Sequence, residues 1–344
     1  MIKVKFICND VSEYYRAQLP DQHPRWGECQ FIFDDDNNDY DWLVIYDDVP
    51  ATIENGKKIP GKIDLCCAPA HTILVTMEPS NIKIYGQYFV EQFGHVLTSQ
   101  EFSALRHPHR VFSQPALRWF FGRGPKNIMT FDQLQTADSY PKSKIMASVC
   151  STKQQKHTLH YKRYHFIQHI KQQFPDMDLF GHGVREMDDK AEALSDYKYH
   201  IAIENHYAIH HWTEKLSDPY LAYCLPIYYG CPNIDDYFPK DSYIAIDIND
   251  PQGACEIIKK AIQNNEYEKR LPAIRQAREK VLNQYNLFNV LNNIVTQHHT
   301  ESAQAEKNKE LLSRHAARKR YPMRGLRDLL KKAKVQIKNR FLNY

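Results

Sequence analysis

Short apolar runs alternate with polar stretches along the first half of the chain. The runs "IKVKFIC", "DWLVIYDD" and "HTILVTM" are each closed by acidic residues or a proline. Runs of this length and composition are typical of strands in a mainly parallel sheet. Residues 130–144 are polar and rich in turn-forming residues, so we place a domain boundary there and a first α/β domain over residues 1–144.

The same alternation restarts after this boundary. The strand-like runs "KIMASVC", "DLFG", "YKYHIAI" and "SYIAIDI" are interrupted by a helical pattern over 161–174 and followed by a helical composition over 251–297. Strands alternating with helices predict a second α/β domain, which we place over residues 145–300. The remaining residues, 301–344, form a tail.

The tail differs in charge from the rest of the chain. The formal net charge of the whole chain is only +4, but residues 314–340 contain 11 Lys and Arg against a single acid, Asp328. After Pro322, apolar residues recur at spacings of three and four, as on one face of a helix. The apolar positions are Met323, Leu326, Leu330, Ala333, Ile337 and Phe341.

A basic residue follows most of these apolar positions. The basic positions are Arg324, Arg327, Lys331, Lys334 and Lys338. The pattern predicts a basic amphipathic helix that contacts an anionic membrane surface through residues 314–341. A helix packed on the body, or a disordered cationic tail, is the alternative. Nucleic acid is not expected as a partner, because the rest of the chain is acidic and carries no binding motif.

Neither metal nor disulfide chemistry is expected. The acidic loop over residues 34–41 lacks the glycine and glutamate of a calcium loop, and the histidines lack zinc-ligand spacing. The eight cysteines form no CxxC pair, which indicates a reducing compartment. The start of the chain does not resemble a signal peptide, and no window is apolar enough to span a membrane. We therefore expect a cytoplasmic protein, peripherally associated with the inner face of the cytoplasmic membrane.

The segment "HHWTEKLSDPYLAYCLPIYYGCPN" follows a strand that ends before Glu204 and Asn205. Open parallel sheets bind ligands at this carboxyl edge. Thr213 is a suitable N-cap, which would place Glu214 and Lys215 in the first helical turn beside free backbone N–H groups. Alternatively, the helix begins at Asp218 with a proline at its first position. A lysine beside helix N–H groups suits a diphosphate, and a carboxylate suits the hydroxyls of a ribose, so a nucleotide is predicted.

Four motifs in this half of the chain carry a resemblance to a known family. They are "YKYHIAIEN", "TEK", "PIYYGCPN" and "FPKDS". In order and spacing they resemble the donor-binding signature of glycosyltransferase family 10, the α-1,3/1,4-fucosyltransferases and their bacterial relatives. The resemblance implies a GT-B fold, in which two Rossmann-like α/β domains face a cleft. It also implies that the second domain binds GDP-fucose, that the first presents the acceptor, and that no metal or other cofactor is required.

The resemblance carries roles over to individual residues. Glu214 and Lys215 correspond to the ribose and phosphate ligands, with Asn205, Glu204 and Thr213 near the donor. His211 stands where the family usually has a tyrosine, and its charge depends on its environment, so donor binding is expected to vary with pH. The family also places an arginine on the diphosphate. His160 or Tyr161 lies nearest that position here, and we assign the role to Arg163.

The acceptor hydroxyl needs a base. Glu78 follows the apolar run "TILVTM" and precedes Pro79, which favours an extended backbone at the carboxyl edge of the sheet. "MEPS" resembles the family segment that supplies the catalytic carboxylate, so Glu78 is the predicted base. Glu91 and Glu101 are the alternatives.

Together these features predict an inverting, metal-independent transferase. It would move fucose from GDP-fucose to a hydroxyl of a cell-surface glycan of lipopolysaccharide or O-antigen type, or of its lipid-linked precursor. Two alternatives stay open. One is a transferase that uses another nucleotide sugar, and the other is a non-catalytic protein that binds a nucleotide sugar or a glycan.

Overall fold

The structure is a computed structural model that describes residues 1–54, 56–125, 127–156, 158–306 and 308–342. The chain forms two compact units. Unit 1 combines Met1–Ala116 with Leu287–Asn339, and unit 2 contains Leu117–Asn286.

The first stretch of unit 1 supplies a seven-stranded sheet in the order β10-β9-β8-β4-β1-β3-β2. Neighbouring strands are parallel except β2 and β3. The elements are β1 (Ile2–Cys8), α1 (Glu13–Arg16), β2 (Arg25–Trp26), β3 (Cys29–Ile32), β4 (Trp42–Tyr46), β5 (Thr52–Glu54), β6 (Lys57–Ile59), β7 (Lys62–Asp64), β8 (Thr72–Val75), α2 (Gln87–Val90), β9 (His95–Thr98) and β10 (Arg110–Phe112).

Unit 2 has a five-stranded, wholly parallel sheet in the order β12-β11-β13-β14-β15. Its elements are α3 (Phe131–Thr136), β11 (Lys144–Val149), α4 (His160–Gln173), β12 (Asp178–Phe180), β13 (Tyr197–Ile203), α5 (Glu214–Leu221), β14 (Leu225–Tyr229), β15 (Ile244–Ala245), α6 (Pro251–Gln263) and α7 (Glu266–Glu279). The run "SYIAIDI" was expected to form a longer strand, but only two of its residues pair with β14.

The central strands are apolar on both faces because both faces are covered. Every residue of β4 and of β8 is buried, as expected for the middle of a parallel sheet flanked by helices. In unit 2, β13 is buried along almost its whole length. The prediction of two α/β domains with mainly parallel sheets, the composition of a GT-B fold, is therefore confirmed.

The domain boundaries differ from those predicted at 144 and 300. After unit 2, the chain returns to unit 1 through α8 (Leu287–His298) and β16 (Glu310–Leu312). Trp26 donates from Nε1 to Asn289 Oδ1 at 3.0 Å, which fixes α8 against the edge of the first sheet. β16 pairs antiparallel with β7. The helical sequence pattern continues across residue 287 and so gives no sign that the chain changes units.

The tail has two structurally different parts. The last two helices are α9 (Arg314–Arg320) and α10 (Pro322–Leu342). Up to α9 the tail is integrated into unit 1, because Leu311 belongs to its core and the backbone N–H of Arg314 donates to Asp48 Oδ1 at 3.0 Å. The predicted boundary at 301 therefore does not separate the tail from the body.

Helix α10 turns a polar side toward unit 1 and an apolar side toward solvent. Asp328 and Lys331 are partly buried, whereas Met323, Leu326 and Leu330 are 79%, 52% and 59% exposed. The predicted amphipathic pattern is therefore present on a helix, although the side chain of Phe341 lies outside the described residues. Among the described helices, none is both long enough and apolar enough to cross a bilayer.

Candidate nucleotide-binding site

Thr213 is the N-cap of α5, so the first of the two predicted helix starts is confirmed. Its Oγ1 accepts a hydrogen bond from the backbone N–H of Lys215 at 3.3 Å, and Pro219 lies inside the helix rather than at its beginning. Glu214 and Lys215 therefore occupy the first turn, where backbone N–H groups are free to bind an anion.

Glu204 fixes this N-cap from the end of β13. Its fully buried carboxylate accepts hydrogen bonds from the Thr213 backbone N–H at 2.8 Å and from Thr213 Oγ1 at 2.7 Å. Burial raises the pKa of Glu204, and Lys215 opposes that rise. Gly230 leaves room for the carboxylate, since a Cβ there would lie 2.4 Å from Glu204 Cγ. Glu204 therefore positions α5.

Glu214 and Lys215 form a partly exposed ion pair. Lys215 Nζ lies 2.8 Å from Glu214 Oε1, and each side chain is about one-fifth exposed. Burial would raise the pKa of Glu214, but the charges of Lys215 and Lys190 outweigh it and lower that pKa to about 2. Burial likewise disfavours the charge on Lys215, yet the carboxylates of Glu214 and Glu204 raise its pKa. Both groups are therefore charged over the whole physiological pH range.

Arg163 supplies a second cation from α4. Its Nη1 donates to Asn205 Oδ1 at 2.6 Å, and the residue is only 6% exposed. Its Nε is buried and lacks a hydrogen-bond partner within the described residues. Its positive charge opposes the rise in pKa that the carboxylates cause at Lys215 and that burial causes at Cys150, which places the guanidinium near both. A buried donor without a partner beside a lysine provides a ready contact for an anionic ligand.

These residues surround a cavity of about 450 Å³ at the carboxyl edge of the second sheet. Of the predicted donor ligands, Asn205, Arg163, Glu214 and Lys215 line it. The other lining residues are Phe120, Arg123, Val149, Ser151, Lys153, His160, Gly181, His182, Met187, Asp188, Lys190, His200, Ile201, Ala202 and Ile203. The volume lies within the usual range of small-molecule sites.

Two further cations of the cavity, Lys190 and Lys153, are not indicated by any sequence motif. Lys190 donates from Nζ to the buried Asp218 Oδ2 at 2.7 Å and to the Glu214 carbonyl at 2.9 Å, so it also positions α5. It lies in a short 3₁₀ turn of ordinary polar composition. Lys153 lies in an equally featureless loop after β11. Only the folding of the sheet brings these two lysines to the cavity.

Four predicted donor-site residues do not line the cavity in the described structure. Glu204 and Thr213 instead hold the start of α5 in position, as described above. Tyr161 packs its ring on His165, with centroids 4.3 Å apart. His211 is buried, and burial, together with His206 and Lys215, lowers its pKa well below the usual value. Its imidazole is therefore neutral near physiological pH, which removes the physical basis for a pH-dependent contact with the donor.

Glu78 lies in unit 1, three residues beyond the end of β8. Its backbone N–H is 3.4 Å from the Tyr85 hydroxyl, and its carbonyl accepts from Gln100 Nε2 at 2.7 Å. The carboxyl edge of the first sheet therefore holds its backbone in place, and the side chain is half-buried. Of the two alternatives, Glu91 is exposed, and Glu101 accepts from Ser80 Oγ at 2.8 Å.

No group of three or more His, Cys, Asp or Glu side chains in the described part of the chain is arranged to hold a metal ion. The cations of the cavity are side chains of this chain, chiefly Lys215, Arg163, Lys190 and Lys153.

Unit 2 is thus a parallel α/β domain with a cationic cavity at the carboxyl edge of its sheet. Residues 139–281, which lie within it, match the family model described as glycosyltransferase family 10 (fucosyltransferase), C-terminal part. The predicted resemblance is confirmed, because this part of the chain is similar to the C-terminal domain of that family.

Curated relatives match over parts of their length. An alpha-(1,3)-fucosyltransferase B of Drosophila melanogaster is 34% identical over 105 residues, which cover 30% of this chain and 23% of the relative. The alpha-(1,3)-fucosyltransferase FucT of Helicobacter pylori is 35% identical over 72 residues, or 21% of this chain and 15% of the relative. The chain thus spans less than a quarter of these relatives.

A crystal structure of an alpha1,3-fucosyltransferase with GDP is also similar. The match covers 83% of this chain and 92% of that chain, with a TM-score of 0.44 and 15% identity.

Proposed function

We propose that the protein is a glycosyltransferase that takes a sugar from a nucleoside diphosphate sugar and attaches it to a hydroxyl of a glycan. The observation that carries the proposal is the position of Glu214 and Lys215. Both lie in the first turn of α5 and line a cavity that also receives Arg163.

The charges of the cavity suit the two halves of a nucleoside diphosphate. Lys215, Arg163 and the N-terminal turn of α5 offer positive charge and N–H donors to the diphosphate. Glu214 is ionised, because its pKa is about 2, and an ionised carboxylate only accepts hydrogen bonds. It therefore suits the neighbouring hydroxyls of a ribose, which donate them.

The proposed donor is GDP-fucose. Support comes from the family match over residues 139–281 and from the two relatives described as alpha-(1,3)-fucosyltransferases. The cavity chemistry itself recognises ribose and diphosphate. Comparison of GDP-fucose with other nucleotide sugars identifies the sugar and the base.

The proposed reaction is a direct displacement with inversion at the anomeric carbon. The acceptor oxygen forms a bond to that carbon as the bond to the diphosphate oxygen breaks, and the diphosphate leaves with the electron pair. Lys215 and Arg163 stabilise the charge on the leaving group, without a metal ion. Glu78 accepts the acceptor proton as general base.

The proposed acceptor is a cell-surface glycan or its lipid-linked precursor. Helix α10 supports this part of the proposal, because it exposes Met323, Leu326 and Leu330 beside basic residues. Such a surface suits an anionic bilayer, where each basic residue contributes on the order of 1 kcal/mol. The protein would then act at the inner face of the cytoplasmic membrane.

The proposal is tested by measuring GDP released from GDP-fucose with a panel of glycan acceptors and with EDTA present. We expect acceptor-dependent release that GDP-mannose and UDP-sugars do not match. Release that depends on added metal would contradict the proposed mechanism. Tight GDP binding without transfer to any acceptor would favour the nucleotide-sugar-binding alternative.

A further inference from the structure

A second cavity, of about 510 Å³, lies within unit 1 beside α10. Its walls come from α2, from the segment that follows β9, and from α10. The lining residues are Gln87, Tyr88, Glu91, Ser103, Arg106, Arg324, Arg327, Asp328 and Lys331. It shares no residue with the nucleotide cavity of unit 2, and the proposed transfer reaction does not use it.

Four of the lining residues are cations, namely Arg106, Arg324, Arg327 and Lys331. In the described part of the chain, no carboxylate oxygen lies within 4.0 Å of a side-chain nitrogen of any of the four, which is the distance limit for an ion pair. The two acids of the cavity are directed toward α2. Glu91 Oε1 accepts a hydrogen bond from Gln87 Nε2 at 3.0 Å, and Asp328 lies so close to Gly86 that a Cβ there would be 2.3 Å from its Oδ2.

Neighbouring groups hold three of these cations in place. The Arg324 guanidinium lies 5.1 Å from the centre of the Tyr88 ring, and that of Arg106 lies 5.2 Å from the centre of the Phe102 ring. Lys331 donates from Nζ to the Ala104 carbonyl at 2.7 Å. Burial lowers the pKa of Lys331; the carboxylates of Asp328 and Glu101 oppose this, and the charges of Arg106 and Arg327 add to it. The cations therefore repel one another, and an anion would relieve the repulsion.

The surroundings of the cavity indicate which class of anion it would bind. Met323, Leu326 and Leu330 are exposed on the same helix that supplies three of the cations. Guanidinium groups bind both carboxylate and phosphate oxygens through paired N–H donors, but a phosphoryl group has three strong acceptor oxygens and can therefore contact several of these cations at once. A phosphate attached to an apolar chain would contact both the cations of the cavity and the exposed apolar side chains of α10.

We propose that this cavity binds a phosphoryl group, as a phosphomonoester or a diphosphate, through Arg106, Arg324, Arg327 and Lys331. The group can come from a lipid headgroup or from a soluble phosphate compound. The lipid source rests on the membrane contact in the proposed function, whereas the cavity itself does not depend on glycosyl transfer.

The test uses the full chain in two arms. The soluble arm measures pyrophosphate binding calorimetrically in saturating GDP, which keeps the nucleotide cavity of unit 2 occupied. The vesicle arm compares sedimentation with phosphatidic acid vesicles and with phosphatidylglycerol vesicles of equal surface potential. Phosphatidic acid exposes a phosphomonoester, and phosphatidylglycerol does not.

The variant is Arg106→Gln with Arg324→Gln, and the matched control is Lys334→Gln with Lys338→Gln. The control removes two exposed charges of α10 that do not line the cavity. We expect the variant to lose about tenfold or more in pyrophosphate affinity, because hydrogen bonds to charged groups are lost. We also expect the variant, but not the control, to lose the preference for phosphatidic acid.

The outcomes separate the two proposals. If the variant weakens pyrophosphate binding, the control does not, and no vesicle binding is seen, the cavity proposal is supported with a soluble phosphate compound as the ligand. The same result overturns the membrane contact. Equal losses in variant and control show a general electrostatic attraction and overturn the cavity proposal. No pyrophosphate binding together with no lipid preference in the unmodified chain also overturns it.

Discussion

Lys215 Nζ lies 2.8 Å from Glu214 Oε1, so adjacent residues in one helical turn form a direct ion pair. The same ammonium is 3.9 Å from Glu204 Oε2 at the end of β13. One lysine therefore links the helix start to the carboxyl edge of the sheet. Adjacent residues on a helix do not usually face each other, but here Lys215 also donates from Nζ to Thr213 Oγ1 at 3.3 Å, so its side chain is directed back toward the start of the helix.

The packing of Glu204 against Gly230 gives the first prediction. Gly230→Ala places a Cβ within 2.4 Å of Glu204 Cγ and 2.6 Å of the Tyr228 hydroxyl. We expect a loss of about 1–3 kcal/mol in the free energy of unfolding, the usual cost of overpacking, measured by urea denaturation. Because Glu204 holds Thr213, GDP affinity should fall as well.

Gly124→Ala is the matched control in the same unit. The nearest atoms to a Cβ at that position are 3.5 Å away, which is ordinary contact. We expect no more than a small change in stability and in GDP affinity. A Gly230→Ala protein as stable as this control would contradict the described packing.

The second prediction concerns the proposed base. Glu78→Gln keeps the shape of the side chain but removes its basicity, so turnover should fall by about 10²-fold or more. GDP affinity, measured by calorimetry, should stay unchanged because the nucleotide cavity lies in unit 2. Near-normal turnover in this variant would exclude Glu78, and the same substitution at Glu101 and Glu91 would then identify the base.

The third prediction concerns a cluster of histidines in unit 1 at the start of β8 and β9. The Trp42 ring stacks on His71 at 4.5 Å, and the His95 ring lies 4.4 Å from that of His298. Burial lowers the pKa of His95 to about 4, with smaller contributions from His298 and other neighbouring histidines. The cluster connects the end of α8 to the first sheet, and burial disfavours a charge on His95 within it.

The direction of the pH effect follows from this pKa. Unfolded His95 binds a proton near its usual pKa of 6.5, whereas the folded protein binds it only near 4, so acid favours unfolding. Stability should therefore fall by roughly 1–3 kcal/mol as the pH drops through this window. Urea denaturation at a series of pH values measures it.

His95→Phe should flatten the pH dependence. His182→Gln should leave it unchanged, because the His182 side chain is 79% exposed. An equal pH dependence in the unmodified chain and in His95→Phe would contradict the assignment to this cluster.

The fourth prediction separates the two parts of the tail. A chain ending at Tyr321 keeps β16 and α9, so it should stay folded, whereas one ending at residue 304 also loses the buried Leu311 and should be destabilised. Both shortened chains lack α10, so both should lose binding to anionic vesicles, measured by sedimentation at two salt concentrations. Unchanged vesicle binding by the chain ending at Tyr321 would contradict the proposed membrane contact.

Sequence pattern was sufficient for the main strands and for the start of α5. Continuous apolar runs such as "IKVKFIC" and "YKYHIAI" form strands because both faces of each sheet are covered. The N-cap preference of Thr213 correctly placed Glu214 and Lys215 in the first turn of α5. These features depend on local chemistry, which the sequence contains directly.

Features that depend on contacts distant in sequence could not be predicted. Lys190 is held at the cavity by its ion pair with Asp218, which is 28 residues further along the chain. Nothing in the sequence around either residue indicates this pair. The return of α8 to unit 1 depends on contacts such as that between Trp26 and Asn289. His211 had a suitable side chain for phosphate, but only the fold shows that it is buried.

The most direct test of the central claim is a calorimetric titration of the full chain with GDP, in EDTA, alongside UDP, dTDP and CMP. We predict that GDP binds without metal and that Lys215→Ala weakens it by about tenfold or more, because a charge-assisted contact is lost. Lys260→Ala, which removes an exposed lysine of α6, should bind GDP as the unmodified chain does. Binding of UDP but not GDP, or equal GDP affinity in Lys215→Ala, would contradict the account.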